Sequence, residues 1–262
     1  MIFYNNIDPV LLDFGFLQMR WYGLFFAIGI ALNYMILMWI FKREKYPVAH
    51  LESLVIWLFF GLLIGARMGE VLFYEASYYL ENPAEILQVW HGGLSSHGAA
   101  IGLFIAFFFW CRKHKLKFSH YADAIVIPMP LTAAFVRLGN FFNSEIVGVP
   151  TGGNFGVVFE RLGEDFARHP AQLYEGAMSL IVFVILFFAY RARYGKWKPM
   201  TFVSMYIALY FGGRFVTEFW KDLHGPLPTN FPISMGQLLS LVPIAFIVIY
   251  WSAKTIRERA RR

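Results

Sequence analysis

Seven long apolar stretches follow one another along this chain, and few folds accommodate such a pattern. They run from about Trp21 to Phe41, Leu51 to Tyr74, Gly92 to Cys111, Tyr121 to Phe142, Leu173 to Tyr190, Pro199 to Trp220 and Phe231 to Ala253. Each is near the ~20 residues a helix needs to cross the hydrocarbon of a bilayer. Hydrocarbon offers no partner for backbone polar groups, so the spanning element is a helix. Only 15% of the 262 residues are charged, against about 25% in an average soluble domain. Disorder, collagen, a coiled coil and a disulfide scaffold are excluded. Cys111 is the lone cysteine, so no internal disulfide and no multi-cysteine metal site can form. The expectation is an all-α integral membrane protein with seven transmembrane helices, one polytopic domain over residues 1–262.

Charge in the loops sets the orientation. Lys42, Arg43 and Lys45 follow the first stretch, and Arg112, Lys113, Lys115 and Lys117 the third. Arg191, Arg193, Lys196 and Lys198 follow the fifth; Lys254, Arg257, Arg259, Arg261 and Arg262 follow the seventh. The opposite loops hold only Arg161, Arg168 and Lys221. The positive-inside rule then puts the N-terminus outside, on the periplasmic face, and the C-terminus in the cytoplasm. The net charge of +6 follows from this topology, and no nucleic-acid partner is expected. Residues 1–19 contain no Lys or Arg, unlike the n-region of a signal peptide, and read as an interfacial segment on the outer face. Residues 143–172 are rich in glycine and mixed in charge, as in a small outer cap between helices four and five. The outer loop from Glu75 to His91 is acidic, with Glu75, Glu81 and Glu85. No internal repeat is visible, so an inverted-repeat transporter is unsupported.

Charges at bilayer depth are costly and mark functional candidates. Arg67 and Glu70 fall in the outer half of the second span. Arg137, Asn140 and Asn143 approach the outer end of the fourth, and Tyr210, Arg214 and Glu218 that of the sixth. His97 lies just below the outer surface in the third. Only Asp123 sits at the cytoplasmic end. Arg67 with Glu70 (i,i+3) and Arg214 with Glu218 (i,i+4) are spaced for ion pairs on their own helices. Arg137 has no acid within a turn on its helix, so it wants an external anion. A lipid phosphate is the anion at that depth, and a planar guanidinium can grip two of its oxygens. His97 is either a hydrogen-bonded strut or a group in contact with substrate. The glycines Gly92, Gly93, Gly98 and Gly102 around it allow close approach. Ser95 and Ser96 beside His97 lack the GxSG of a rhomboid-type intramembrane protease. His169, Tyr174 and Glu175 read as a helix cap with interfacial tyrosines. An anion transporter could use the same arginines, but the polar layer does not continue inward from them.

Several strings together resemble the prolipoprotein diacylglyceryl transferase family. They are RWYG (20–23), GGLSSHGAAIG (92–102), RLGNFFNSEIVG (137–148), HPAQLYE (169–175), YFGGRFVTEF (210–219) and ISMGQLLS (233–240). The resemblance covers all seven stretches in order, and RLGNFxNxExxG is its most specific part. It implies a multi-pass enzyme of the bacterial cytoplasmic (inner) membrane, active toward the outer leaflet. Such an enzyme moves the diacylglyceryl group of phosphatidylglycerol onto the lipobox cysteine of a prolipoprotein signal peptide. A thioether forms, glycerol 1-phosphate leaves, and neither metal nor organic cofactor is needed. By motif, His97, Arg137 and Arg214 are the catalytic positions. Arg137, Asn140, Glu145, Gly148, Tyr22 and Tyr210 bind substrate, and Asp123 and Gly98 support the site. Two departures stand out. Ala99 replaces a second glycine after the histidine, which implies slightly tighter packing there. Lys221 stands where the family often has arginine, and so falls outside the core site.

Overall fold

The computed structural model describes residues 1–15, 18–192, 195–222 and 233–260, most of them helical. Among the described residues, five helical runs are long and apolar enough to cross a membrane: Trp21–Arg43, Val48–Phe73, Phe118–Phe142, Ala171–Ala192 and Met235–Arg259. They coincide with the first, second, fourth, fifth and seventh apolar stretches. Large apolar side chains on them are bare, among them Phe59, Ile64, Ile181, Val248 and Ile249. Water would penalise such continuous apolar surface and lipid does not. The chain is a multi-pass membrane protein.

The third stretch yields a shorter helix, Ser96–Lys113. Gly92 and Gly93 have φ of 90° and 67°, outside the right-handed helical region, so the helix starts after them. The sixth is helical but uneven: Thr201–Tyr206 is α-helix, Ile207–Phe211 a wider π turn, Gly212–Thr217 α-helix and Glu218–Trp220 a 3-10 turn. Phe231, at the predicted start of the seventh span, lies outside the described residues, as do Arg193, Arg261 and Arg262.

In chain order we label strands β1 (Ile2–Asn5), β2 (Val10–Asp13), β3 (Gln18–Arg20) and β4 (Gly156–Phe159). The helices are α1 (Trp21–Arg43), α2 (Val48–Phe73), α3 (Ala76–Glu81), α4 (Ser96–Lys113), α5 (Phe118–Val126), α6 (Met129–Phe142), α7 (Ala171–Ala192), α8 (Thr201–Tyr206), α9 (Gly212–Thr217) and α10 (Met235–Ala260). The chain forms two compact units. One comprises Met1–Ile36 and Ala122–Arg262, the other Leu37–Tyr121.

In the unit Leu37–Tyr121, α2 and α4 meet backbone to backbone. Gly61, Gly65 and Gly69 recur every fourth residue on one face of α2. They face Gly98, Gly102 and Ala106 at the same spacing on α4. A Cβ at Gly65 would lie 2.7 Å from the Gly102 Cα, and one at Gly98 would strike the Gly65 carbonyl. Small residues at this spacing let helices in lipid approach closely. Ala99 is half-buried and plays no part in this seam, which is carried by Gly98 and Gly102. Ser95 caps α4, its Oγ accepting from the Gly98 N–H at 3.2 Å.

In the other unit, the outer segments are partly β-structure. β1 pairs in parallel with β4, Ile2 opposite Gly156, and β2 pairs antiparallel with β3. Phe141, Val157 and Phe159 form a small core beneath them. Asn5, fully buried, donates to the Phe141 carbonyl at 3.0 Å. Between α5 and α6 the helix breaks at Pro128, which also precedes Pro130. α1 lies on α6: a Cβ at Gly139 would lie 2.9 Å from the Tyr22 ring, and Asn33 donates to the Thr132 hydroxyl at 3.1 Å.

Asp123 has a clear structural place. Its carboxylate accepts the backbone N–H of Met200 at 2.6 Å and of Val203 at 2.9 Å. It thus caps α8 from another helix, satisfying donors that the first helical turn leaves open. Asp123→Ala is expected to cost about 1–3 kcal/mol. A thermal unfolding temperature in detergent equal to wild type would contradict this.

Candidate functional site

The signature run 137–148 folds back on itself at the end of α6. Asn143 ends the helix, and Ser144 and Ile146 then adopt left-handed backbone, with φ of 55° and 57°. That region is uncommon for a β-branched residue such as Ile146. The turn returns Glu145 over the last helical turn, its N–H bonded to the Asn140 carbonyl at 2.9 Å. Side chains then form a chain of contacts. Arg137 Nη1 donates to Asn140 Oδ1, and Asn140 Nδ2 donates to Glu145 Oε2, each at 3.2 Å. Asn143 Nδ2 donates to Glu145 Oε1, also at 3.2 Å.

Arg137 is not the unpaired cation its own helix implied. Its Nε lies 2.5 Å from Glu175 Oε2, on α7. Glu175 is buried, 2% exposed, and the Arg137 side chain is 14% exposed. The reason is lateral packing: α7 crosses α6 at Gly176, where a Cβ would sit 3.5 Å from the Arg137 Cβ. Spacing along one helix cannot show a partner on the next. Glu175 therefore takes one edge of the guanidinium and Asn140 part of another. Nη2 makes no hydrogen bond among the described residues.

Arg214 on α9 hydrogen-bonds the Tyr210 hydroxyl and lies in the field of Glu175 and Glu218. Tyr210 is set by the π turn and stacks on Tyr206, ring centroids 5.2 Å apart. Such turns recur at functional sites. The expected Arg214–Glu218 ion pair does not form. The backbone keeps its i,i+4 step, the Glu218 N–H bonding the Arg214 carbonyl, but the Glu218 carboxylate is taken by other partners. Glu218 instead faces Lys221 Nζ at 3.6 Å and accepts from the Ser234 hydroxyl at 3.2 Å. Ser234 and Gln237 cap α10 reciprocally, Ser234 N–H to Gln237 Oε1 at 2.9 Å and Gln237 N–H to Ser234 Oγ at 3.0 Å. Glu218 thus lies at the positive end of α10, where a carboxylate is favoured. Tyr22 is close enough to feel the charges of Arg137 and Glu145.

Gly148 is held by its surroundings. A Cβ there would strike the carbonyls of His169 and Trp220. Its N–H bonds the His169 carbonyl at 3.0 Å, and it forms an antiparallel bridge with Lys221. Arg168 fastens the same region, with Nη1 donating to the Gly148 carbonyl at 3.0 Å and to Asp222 Oδ2 at 2.7 Å. Two hydrogen bonds to Glu164 hold this guanidinium's pKa above its ordinary value, against the opposing effect of burial. Gln172 donates to the Glu145 carbonyl at 2.6 Å, so HPAQLYE supports the signature turn as well as supplying Glu175.

Tyr22, Arg137, Asn140, Glu145, Gly148, Tyr210 and Arg214 therefore lie together in one unit. Sequence reading places Glu218 among the bilayer-depth candidates and leaves Glu175 and Lys221 outside the site. The signal for Glu175 was present, an acid one turn into an apolar span, but it read as a cap. His97 and Gly98 belong to the unit Leu37–Tyr121. There His97 is exposed, its Nδ1 3.2 Å from the Tyr74 hydroxyl. Arg67 in that unit does not pair with Glu70. It donates to the carbonyls of Glu85, Ile86, Gly92 and Gly93, and its guanidinium lies over the Tyr79 ring at 4.7 Å. The loop before α4 offers converging carbonyls, a structural role reached by a different partner.

Apolar helices long enough to cross a bilayer, together with arginines set among carboxylates and amides, define a multi-pass membrane protein with a polar cluster. The family model described as prolipoprotein diacylglyceryl transferase matches residues 9–253. The chain belongs to that family and is a transferase. It is similar to the phosphatidylglycerol–prolipoprotein diacylglyceryl transferase of Tolumonas auensis, 40% identical over all of both chains. The enzyme of the same name from Chloroherpeton thalassium is 37% identical over 95% of this chain and 94% of its own. That from Bacteroides fragilis is 37% identical over 94% and 92%.

Proposed function

We propose that this protein transfers the diacylglyceryl group of phosphatidylglycerol to the lipobox cysteine of prolipoproteins, in the bacterial cytoplasmic (inner) membrane. The relatives' names support the substrates. The observation that carries the reading is Arg137, fixed through Nε and Nη1 yet with Nη2 unengaged, in one unit with Arg214. That is a phosphate grip prepared before the lipid arrives. In the full arrangement seven helices cross the bilayer with the N-terminus outside. The polar site faces the outer leaflet, and residues 143–172 form a periplasmic cap on a single membrane domain.

The reaction is displacement at the glycerol C3 carbon. The cysteine sulfur forms the C–S bond of the thioether as the C–O bond to phosphate breaks. The bonding pair leaves on the phosphate, giving glycerol 1-phosphate. Arg137 and Arg214 hold that phosphate and offset its growing charge. Asn140 and Glu145 orient Arg137, and Tyr22 and Tyr210 orient the headgroup. A free thiol has a pKa near ~8.5, so a proton must be removed for attack. His97 takes it in this scheme, a role that rests on its motif and on imidazole chemistry. For Nε2 to be the basic nitrogen, Nδ1 carries the proton and donates it to the Tyr74 hydroxyl.

The test uses the full chain in detergent with phosphatidylglycerol and a lipobox peptide. Glycerol phosphate release matched by a diacylglyceryl mass gain on the peptide is the expected result. Lipid binding without either product would overturn the reading. His97→Gln keeps a hydrogen-bonding group but cannot serve as the base, so turnover is expected to fall about 10²–10⁴-fold. Near-normal turnover in that variant would remove His97 from the proton-transfer step.

A further inference from the structure

On the strength of the transferase reading above, we propose that Lys221 is a positioning residue for Arg137, acting through the paired carboxylates of Glu175 and Glu218. Its Nζ lies 3.6 Å from Glu175 Oε1 and 3.6 Å from Glu218 Oε2. Those carboxylates are only 2% and 5% exposed. Neither Glu175 oxygen nor Glu218 Oε2 receives a hydrogen bond of ordinary geometry. Their burial is therefore tolerated through charge, and one ammonium serves both. The other Glu175 oxygen is the one on Arg137 Nε. Lys221 thus sets the carboxylate that sets the guanidinium.

The backbone places this ammonium. Lys221 bridges Gly148, while the Val149 N–H bonds the Trp220 carbonyl at 3.0 Å and the Asp222 N–H bonds the Val147 carbonyl at 3.1 Å. Asp222 is in turn held by Arg168. The signature turn and the end of the sixth span therefore form one frame, from which the Lys221 side chain reaches inward. A point charge suits this task, since neither carboxylate is gripped bidentately. Without it, Glu175 and Glu218 share a buried space with too little positive charge. Glu175 then turns away, and Arg137 loses its fixed edge.

The experiment measures kcat and KM for phosphatidylglycerol in wild type, Lys221→Met, Lys221→Arg and the double variant Lys221→Met with Glu218→Gln. Melting temperature in detergent is followed in parallel. In Lys221→Met, KM is expected to rise about tenfold or more, because a mis-set arginine weakens lipid binding. Lys221→Arg keeps the charge and should stay within about threefold of wild type. The double variant removes one charge of each sign and should recover most of the lost affinity. If Lys221→Met does not fold, the charge-balanced variant decides alone: a KM near wild type supports the role. A lowered kcat at unchanged KM, or a double variant no better than the single, would overturn it. A wild type that makes no product sinks the transferase reading and this role together. A competent wild type beside an indifferent Lys221→Met sinks this role alone.

Discussion

Arg137→Lys is expected to lower diacylglyceryl transfer by at least about 10²-fold despite keeping the charge. Arg137 uses Nε on Glu175 and Nη1 on Asn140 at the same time. A lysine ammonium is a single point at the end of a flexible stem. If it stays with the buried Glu175, it cannot also present donors to a phosphate. If it reaches for the phosphate, it leaves Glu175 with Lys221 and the field of Arg214 but no direct guanidinium partner. Asn140 loses its donor either way, and the Asn140–Glu145 contact loosens with it. Glycerol phosphate release measures the effect, and a retained melting temperature separates it from misfolding. A lysine variant with more than about a tenth of wild-type turnover would undo the argument for a fork-shaped donor.

Gly98→Val should have the largest effect on stability, more than about 3 kcal/mol, because the crowded atoms are backbone and cannot turn aside. The new side chain would meet the Gly65 carbonyl and, at 2.7 Å, the Gly69 Cα. α2 and α4 would have to separate along the whole Gly61–Gly65–Gly69 seam. The N-terminal turn of α4, which carries His97, would shift with them. Gly23→Ala is the contrast: no atom lies within 4 Å of its added Cβ. Thermal unfolding in detergent should show a large loss for Gly98→Val and none for Gly23→Ala. Equal melting temperatures would mean that the seam does not hold the two helices.

Helix positions were legible in the sequence because the length of an apolar run is a local property. α1, α2, α7 and α10 lie where such runs do. What failed was what depends on neighbours in space. The Arg137–Glu175 pair joins two helices, and no periodicity within either reveals it. Arg67 and Glu70 have ideal spacing, yet the carbonyls of the following loop outcompete the acid. The β1–β4 pairing joins four-residue strands at Ile2–Asn5 and Gly156–Phe159, far apart in the chain and too short to stand out from loops. Chemical motifs fared better. In RLGNFFNSEIVG, Arg137, Asn140, Asn143 and Glu145 are tied to one another by side-chain hydrogen bonds within nine residues.

The cluster in the first unit brings Arg137, Arg214 and Lys221 together with Glu145, Glu175 and Glu218. Its formal charges cancel before any lipid enters. A phosphate arriving there must compete with resident carboxylates for the same cations. In the proposed reaction that rivalry limits how tightly the headgroup is held, and it matters most after the C–O bond breaks. The departing glycerol phosphate is more anionic than the lipid it came from, and a site of bare arginines would retain it. Built-in carboxylates can reclaim the cations, so a site that works as proposed would discharge its product and return to rest without borrowing a counter-ion from solution.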